Sequence, residues 1–129
     1  MLKTGILNPQ INSLLSRVRH TNSLVIADRG FPSWPGIETI DISLVDDLPR
    51  VADVLCAIQR NFNIGSVMMA EEFRMSNPQE VVRRMKEIAK GTKLLFEPHE
   101  KFKERVPYAL GIIRTGDSTP YSNVIIESA

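Results

Sequence analysis

The chain has 129 residues, of which 43% are hydrophobic and 24% charged, and its formal net charge is only +1. This length suits one domain with one core, so we treat residues 1–129 as a single domain. A charge this balanced gives no electrostatic footprint for nucleic acid. No apolar run approaches the roughly 18–20 residues of a membrane span, so neither nucleic acid nor membrane is expected as a partner.

The cysteine and histidine content limits the chemistry further. One cysteine, Cys56, excludes an intramolecular disulfide, and two histidines are too few to favour a Cys/His zinc site. There is no glycine-rich phosphate loop and no G-x-S-x-G elbow, so phosphoryl transfer, hydride transfer and serine hydrolysis have no support. The first residues lack a signal-peptide core, and we expect a reduced, cytoplasmic setting.

Short apolar runs alternate with amphipathic patterns along the first half of the chain. Asn8-Pro9 is a cap–proline pair of the kind that begins a helix. In order, we predict a helix from Pro9 to about His20, a strand over 24–27, a loop over 29–36, a strand over 39–42, and a helix that begins near 48–49 with Asp46 or Asp47 as its cap.

The second half repeats the alternation. Asn77-Pro78 predicts another helix start, with Glu80 placed to complete a capping box. Around it we predict strands over 66–70 and 93–96, helical turns within 98–105, and last strands over 110–114 and 123–126 separated by a polar turn.

Strands that alternate with helices indicate an α/β fold with a largely parallel sheet. Ligands in such sheets bind beyond the carboxyl ends of the strands. Four polar residues follow predicted strands, and this rule directs attention to them: Asp28, Glu71, Glu72 and His99.

His20 stands where the first predicted helix ends. A helix C-terminus favours the protonated imidazole, so His20 could serve as an acid. It could equally cap the last helix carbonyls, which is a common structural role. Asp28 follows a buried strand, where a carboxylate could belong to a site or could hold a turn.

Further polar and aromatic groups could bind a polyol. His99 and Lys103 share a helix face at i, i+4, although they could also form a solvated turn. Tyr121, Ser122 and Asn123 lead into the last predicted strand. Phe31 and Trp34 could stack on a sugar ring or anchor their proline-rich loop.

In this order and spacing, these residues resemble the D-ribose pyranase and L-fucose mutarotase family. The similarity spans nearly the whole chain and includes the following elements: Leu7-Asn8, His20-Thr21, Ala27-Asp28 with Gly30 and Pro32, Ala70-Glu71-Glu72, Asn77-Pro78, His99-Glu100 with Phe102-Lys103, and Arg114-Thr115-Gly116 with Thr119 to Asn123.

The resemblance implies a three-layer α/β/α domain that interconverts monosaccharide ring forms without a cofactor, most typically β-D-ribopyranose and β-D-ribofuranose. It implies a proton donor at His20 and sugar-binding residues at Asp28, His99, Lys103, Tyr121, Ser122 and Asn123. It also implies a homopentamer or homodecamer with the site where subunits meet.

Arg19, Arg29 and the Phe31 to Trp34 stretch differ from the ribose pattern, whereas the His99 and Tyr121 elements favour ribose. The alternatives are a mutarotase for fucose or another sugar, a non-catalytic sugar-binding accessory of an uptake system, and a structural ring-forming subunit.

Overall fold

The structure is a computed structural model that describes residues 1–129. It contains six strands, five α-helices and one 3₁₀ turn. In chain order these are α1 Pro9–Arg17, β1 Ser23–Ala27, β2 Glu38–Asp41, α2 Val51–Gln59, β3 Ile64–Ala70, α3 Glu71–Ser76, α4 Gln79–Ile88, β4 Lys93–Glu97, α5 His99–Arg105, the 3₁₀ turn Val106–Tyr108, β5 Gly111–Arg114 and β6 Val124–Ser128.

All six strands form one sheet in the order β2-β5-β1-β6-β3-β4. β6 pairs antiparallel with both β1 and β3, and every other pair is parallel. The predicted, mostly parallel sheet is therefore confirmed. Because five strands run the same way, their carboxyl ends meet at one edge, together with the start of β6.

Helices cover both faces of the sheet and make three layers. The larger apolar cluster lies under α1, α2, α3 and α4, and the smaller one lies under α5 and the 3₁₀ turn. β6 shows the alternation that a doubly covered strand needs, because Val124 and Ile126 join the larger cluster while Ile125 joins the smaller. The expected three-layer α/β/α arrangement is confirmed. None of the helices is long and apolar enough to cross a membrane.

The first helix is shorter than predicted. Val18, its C-cap, is already extended at φ −76° and ψ 126°. The Arg19 N–H then donates to the Asn22 side chain at 2.9 Å, which closes a turn instead of another helical turn. His20 therefore lies in a turn beyond the helix, and the predicted end near His20 was wrong.

The caps of the two middle helices also differ from the prediction. α2 begins at Val51, and its first N–H donates to the carboxylate of Asp117 at 2.9 Å. Asp46 pairs with Arg29 instead, and Asp47 accepts from Ser118. The expectation of a local aspartate cap was wrong because the cap comes from a loop distant in sequence.

The capping box predicted for the fourth helix is absent. The Glu80 carboxylate pairs with Arg83, and the Asn77 amide donates to the carbonyls of Phe73 and Pro120. Asn77 thus links the end of α3 to the loop before β6. α3 itself was not predicted, because its six residues carry no cap or periodicity that a sequence pattern could reveal.

The loop between β5 and β6 packs tightly against the segment before α2. A Cβ on Gly116 would lie 2.2 Å from the Val45 carbonyl oxygen and 3.0 Å from that of Leu48, so only glycine fits. The Gly116 N–H donates to the Pro49 carbonyl at 2.9 Å. This close approach sets the position of the whole loop at the carboxyl edge of the sheet.

Candidate functional site

A cavity of about 240 Å³ opens at the carboxyl edge of the sheet. It lies on the face covered by α5, between the end of β1, the loop that follows it, α5 and the segment before β6. Nine residues line it: Asp28, Gly30, Phe31, Pro32, Trp34, His99, Lys103, Tyr121 and Asn123. Five of the seven residues predicted as a sugar site therefore come together here.

Asp28 is fixed in the cavity by hydrogen bonds to both carboxylate oxygens. The Gly30 N–H donates to Oδ1 at 2.9 Å, and the Asn123 amide donates to Oδ2 at 3.1 Å. Asn123 also accepts from the Asp28 N–H at 2.7 Å, so the two residues bond reciprocally. This pairing ties the end of β1 to the start of β6 and orients the carboxylate.

Burial raises the pKa of Asp28 above its ordinary value, and the neighbouring charge of Asp117 raises it further. The hydrogen bonds from Gly30, Asn123 and Phe31 oppose this pKa shift but do not cancel it. Leaving a buried carboxylate without enough hydrogen-bond donors costs free energy. A ligand that donates hydrogen bonds to Asp28 would offset that cost.

His99 enters the cavity at the first position of α5. Its backbone N–H donates to the Glu72 carboxylate at 2.7 Å, so α3 holds the start of α5. The ring stacks 6.2 Å from Phe102 and meets Tyr121 edge-on at 5.1 Å. Its Nδ1 is buried and has no hydrogen-bond partner in the protein.

Tyr121 and Lys103 complete the polar wall. Tyr121 has a φ of +56°, a left-handed conformation that costs a non-glycine residue energy and that often occurs at functional sites. Lys103, one turn after His99, places its ammonium at the rim, where it pairs with Glu100 at 3.2 Å. Both side chains remain accessible to a ligand.

The loop after β1 supplies the apolar wall. Phe31 is buried in the smaller cluster, and Trp34 packs beside it with its indole N–H buried and unpartnered. The Arg114 guanidinium holds this loop, donating to the Phe31 carbonyl at 2.9 Å and the Ser33 hydroxyl at 3.0 Å. Sequence reasoning did not find this role of Arg114, although a charged residue at the end of a buried strand was a signal.

His20 lies far from this cavity within one chain. It precedes β1 whereas Asp28 follows it, and five strand residues at about 3.3 Å each separate them by roughly 16 Å. His20 is exposed and lines a different groove of about 860 Å³ at the opposite edge of the sheet. Its ring makes no hydrogen bond within the chain.

Ser122 and Glu71 also lie outside the cavity. Ser122, two residues before β6, is buried and lines a separate small cavity beneath α2 and α4. Glu71 pairs with Arg74. No group of three or more His, Cys, Asp or Glu side chains is placed to hold a metal ion.

The cavity combines a carboxylate, an imidazole, an ammonium, a phenol and an amide with two aromatic walls. Several hydrogen-bonding groups that converge beside aromatic rings suit a small polyhydroxylated ligand. Fold and site together define a small α/β protein with a monosaccharide-type binding cavity.

A sequence model of the RbsD / FucU transport protein family matches residues 1–129, and the chain belongs to that family. Among its relatives, a D-ribose pyranase of Chromobacterium violaceum is 42% identical over 130 aligned positions, which cover 99% of this chain and 97% of the relative. A D-ribose pyranase of Clostridium perfringens strain 13 is 38% identical over 128 residues, which cover 99% of this chain and 97% of the relative.

Solved structures agree with this placement. Bacillus subtilis RbsD complexed with D-ribose superposes with a TM-score of 0.93 at 34% identity, covering 100% of this chain and 98% of that one. A fucose mutarotase from Streptococcus pneumoniae, solved with L-fucose, has a TM-score of 0.83 at 20% identity. The match covers 99% of this chain and 98% of the mutarotase chain. The second match supports the fold.

Proposed function

We propose that this chain is a D-ribose pyranase, an enzyme that interconverts β-D-ribopyranose and β-D-ribofuranose without a cofactor. The observation that carries the proposal is the convergence of Asp28, His99, Lys103, Tyr121 and Asn123 on one cavity of about 240 Å³. The full-length similarity to D-ribose pyranases supports the same reaction.

The reaction consists of proton transfers around one carbon–oxygen bond. Ring opening removes a proton from the anomeric hydroxyl, delivers one to the ring oxygen and breaks the bond between the anomeric carbon and that oxygen. Reclosure through another hydroxyl reverses these steps. Positioned acid–base groups typically accelerate such transfers by roughly 10²–10⁴-fold.

The residues of the cavity have complementary tasks in this proposal. Asp28, held by Gly30 and Asn123, accepts hydrogen bonds from sugar hydroxyls. The side chains of His99, Lys103 and Tyr121 bind further hydroxyls. Ser122 is proposed to contribute to sugar binding indirectly, because it lies between Tyr121 and Asn123 in the segment that lines the cavity.

His20 is the proposed proton donor, and it must reach the sugar from a second copy of the chain. Within one chain it lies at the opposite end of β1 from Asp28. Packing one edge of the sheet onto the other edge of the next copy would bring the two together. Such head-to-tail contacts close into rings, which agrees with the proposed homopentamer, or two rings in a homodecamer.

The surface around His20 supports a subunit contact. It forms an open groove of about 860 Å³, bordered by Tyr108, which is 83% exposed. Large exposed aromatics beside a groove are typical of interfaces. We further propose that the protein acts in the cytoplasm in ribose catabolism, in keeping with its single, unpaired cysteine.

The test is NMR saturation transfer between the ring forms of D-ribose. We expect exchange well above buffer with the wild-type protein, and loss of most of this enhancement in His20→Ala. Ring exchange of L-fucose and D-galactose, measured in parallel, assigns the sugar.

Two other outcomes would contradict the proposal. Saturable ribose binding with ring exchange no faster than in buffer would identify a non-catalytic binding protein. Absence of binding to any monosaccharide would identify a structural subunit.

A further inference from the structure

A second, smaller cavity lies behind the sugar cavity, on the other face of the sheet. Its volume is about 100 Å³, and it is enclosed by α2, α4 and the segment Asp117–Ser122. At roughly 30 Å³ per water, this space holds a small ion or a few waters but not a second monosaccharide. The segment before β6 therefore separates two cavities, with Tyr121 and Asn123 facing one and Ser122 facing the other.

The polar groups of this cavity are mostly hydrogen-bond donors. Five of the ten lining residues are apolar, and Arg50, Arg84, Thr119 and Ser122 bring donor groups to the remainder of the wall. Arg84 forms no ion pair within the chain, in contrast to its neighbour Arg83, which pairs with Glu80 and Glu87. An unpaired arginine at a cavity mouth is a suitable anion ligand, because its planar fork matches an oxyanion.

Ser122 gives independent evidence for a ligand. The residue is only 1% exposed, yet its hydroxyl has no hydrogen-bond partner in the protein. Buried hydroxyls are nearly always satisfied, so an orphan that lines a cavity indicates a bound group. The start of α2 also borders the cavity, and the N–H of Ala52 in its first turn has no protein acceptor.

The carboxylate of Asp117 is the only acidic group in the wall. Its two oxygens accept from the Val51 N–H at 2.9 Å and the Thr119 N–H at 2.8 Å, so each is already engaged by a backbone donor. Asp47 pairs with Arg50 at 3.4 Å from outside the cavity. Two guanidinium groups against one satisfied carboxylate leave the wall itself with a net positive charge.

We propose that this cavity binds a phosphate group, held by Arg50, Arg84, Thr119, Ser122 and the free N–H at the start of α2. A tetrahedral dianion offers enough acceptor oxygens for these donors and matches the size of the cavity. The group could arrive as inorganic phosphate or as the terminal phosphate of a sugar phosphate that projects through the open mouth beside Arg84.

The test is isothermal titration calorimetry of the purified oligomer with inorganic phosphate and, separately, with D-ribose 5-phosphate, against chloride at equal ionic strength. We expect saturable binding that weakens about tenfold or more in Arg84→Gln, as the loss of a charge-assisted hydrogen bond predicts. Arg83→Gln, one residue away and outside the cavity, is the matched control and should bind like wild type. Circular dichroism verifies that both variants fold.

The arms of the experiment separate the possible sources. Binding of inorganic phosphate alone identifies a free-ion site, whereas tighter binding of D-ribose 5-phosphate that also depends on Arg84 identifies a phosphoryl subsite. Ser122→Ala should weaken either binding severalfold without unfolding the protein. Absence of binding in both arms would show that the cavity holds only water. Binding that is equal in wild type and Arg84→Gln would show that the phosphate binds elsewhere. Either result would overturn the proposal.

Discussion

Asp28 is a partly buried carboxylate whose surroundings differ from those of an ordinary surface aspartate. Burial raises its pKa, while Gly30 and Asn123 fix the carboxylate in place. Burial therefore opposes ionisation of this carboxyl, a cost that a neutral or apolar side chain would avoid. Such groups are typical of functional sites, because the cost is recovered when a ligand supplies the missing hydrogen bonds.

The raised pKa of Asp28 predicts a pH dependence of stability. As pH rises past 3.8, the unfolded carboxyl loses its proton first, so the free energy of unfolding falls until pH exceeds the folded pKa. Asp28→Asn cannot titrate and lacks this decrease. Urea unfolding of both proteins between about pH 3 and about pH 7 should therefore show the stability of the wild type declining relative to the variant. A constant difference across this range would contradict the assigned environment.

The same substitution should weaken ribose binding, because an amide offers one acceptor oxygen instead of two. If Asp28→Asn gains stability relative to the wild type as pH rises but binds ribose more weakly, Asp28 is a functional residue. If the role of Asp28 were purely structural, the substitution would lower both the free energy of unfolding and the ribose affinity.

At the scale of elements, two adjacent glutamates on α3 differ in what they support. Glu72 accepts from the first N–H of α5 and so fixes the position of His99, whereas Glu71 pairs with Arg74 at the surface. Glu72→Ala should cost about 1 kcal/mol, the usual value of a lost helix cap, and should raise the Michaelis constant for ribose. Glu71→Ala, the matched control, should change the unfolding free energy by less than about 0.5 kcal/mol. Equal effects in urea unfolding would show that Glu72 has no special role at α5.

Asp117 joins α2 to the loop before β6. The side chain is buried and satisfies the Val51 and Thr119 N–H groups. Asp117→Ala leaves both donors unsatisfied and should cost about 2–4 kcal/mol in denaturant unfolding. Asp53→Ala removes the exposed bond to the Arg50 N–H and should cost about 1 kcal/mol or less. A small loss for Asp117→Ala would mean that the loop is positioned by Gly116 alone.

At the scale of the whole molecule, His20 and Asp28 can act together only across copies of the chain. Mixed rings of His20→Ala and Asp28→Asn subunits should then regain activity. In random one-to-one mixtures, about a quarter of head-to-tail contacts pair an intact His20 with an intact Asp28. Ribose ring exchange after unfolding and refolding the mixture should approach this fraction of the wild-type rate. Activity no higher than that of the separate variants would disprove a shared site.

The sequence by itself determined the fold class and singled out five of the residues that line the cavity. Alternating strand and helix patterns predicted the mostly parallel sheet, because buried strands and amphipathic helices have different hydrophobic periods. Asp28 and His99 were identified because residues that follow strands gather at one edge, whereas Tyr121 was implied by the resemblance to a known family. The resemblance to a sugar-isomerase family added the ligand class, which no pattern of apolar residues could supply.

Only the tertiary structure decided which side chains meet. The cap of α2 comes from Asp117, 66 positions away, and local capping rules cannot anticipate such a contact. Ser122 and Asn123 are neighbours in the chain yet line different cavities, because the segment that leads into β6 passes between the two cavities. His20 and Asp28, eight positions apart in the sequence, lie at opposite ends of β1 because an extended strand separates its two ends further than any other local structure.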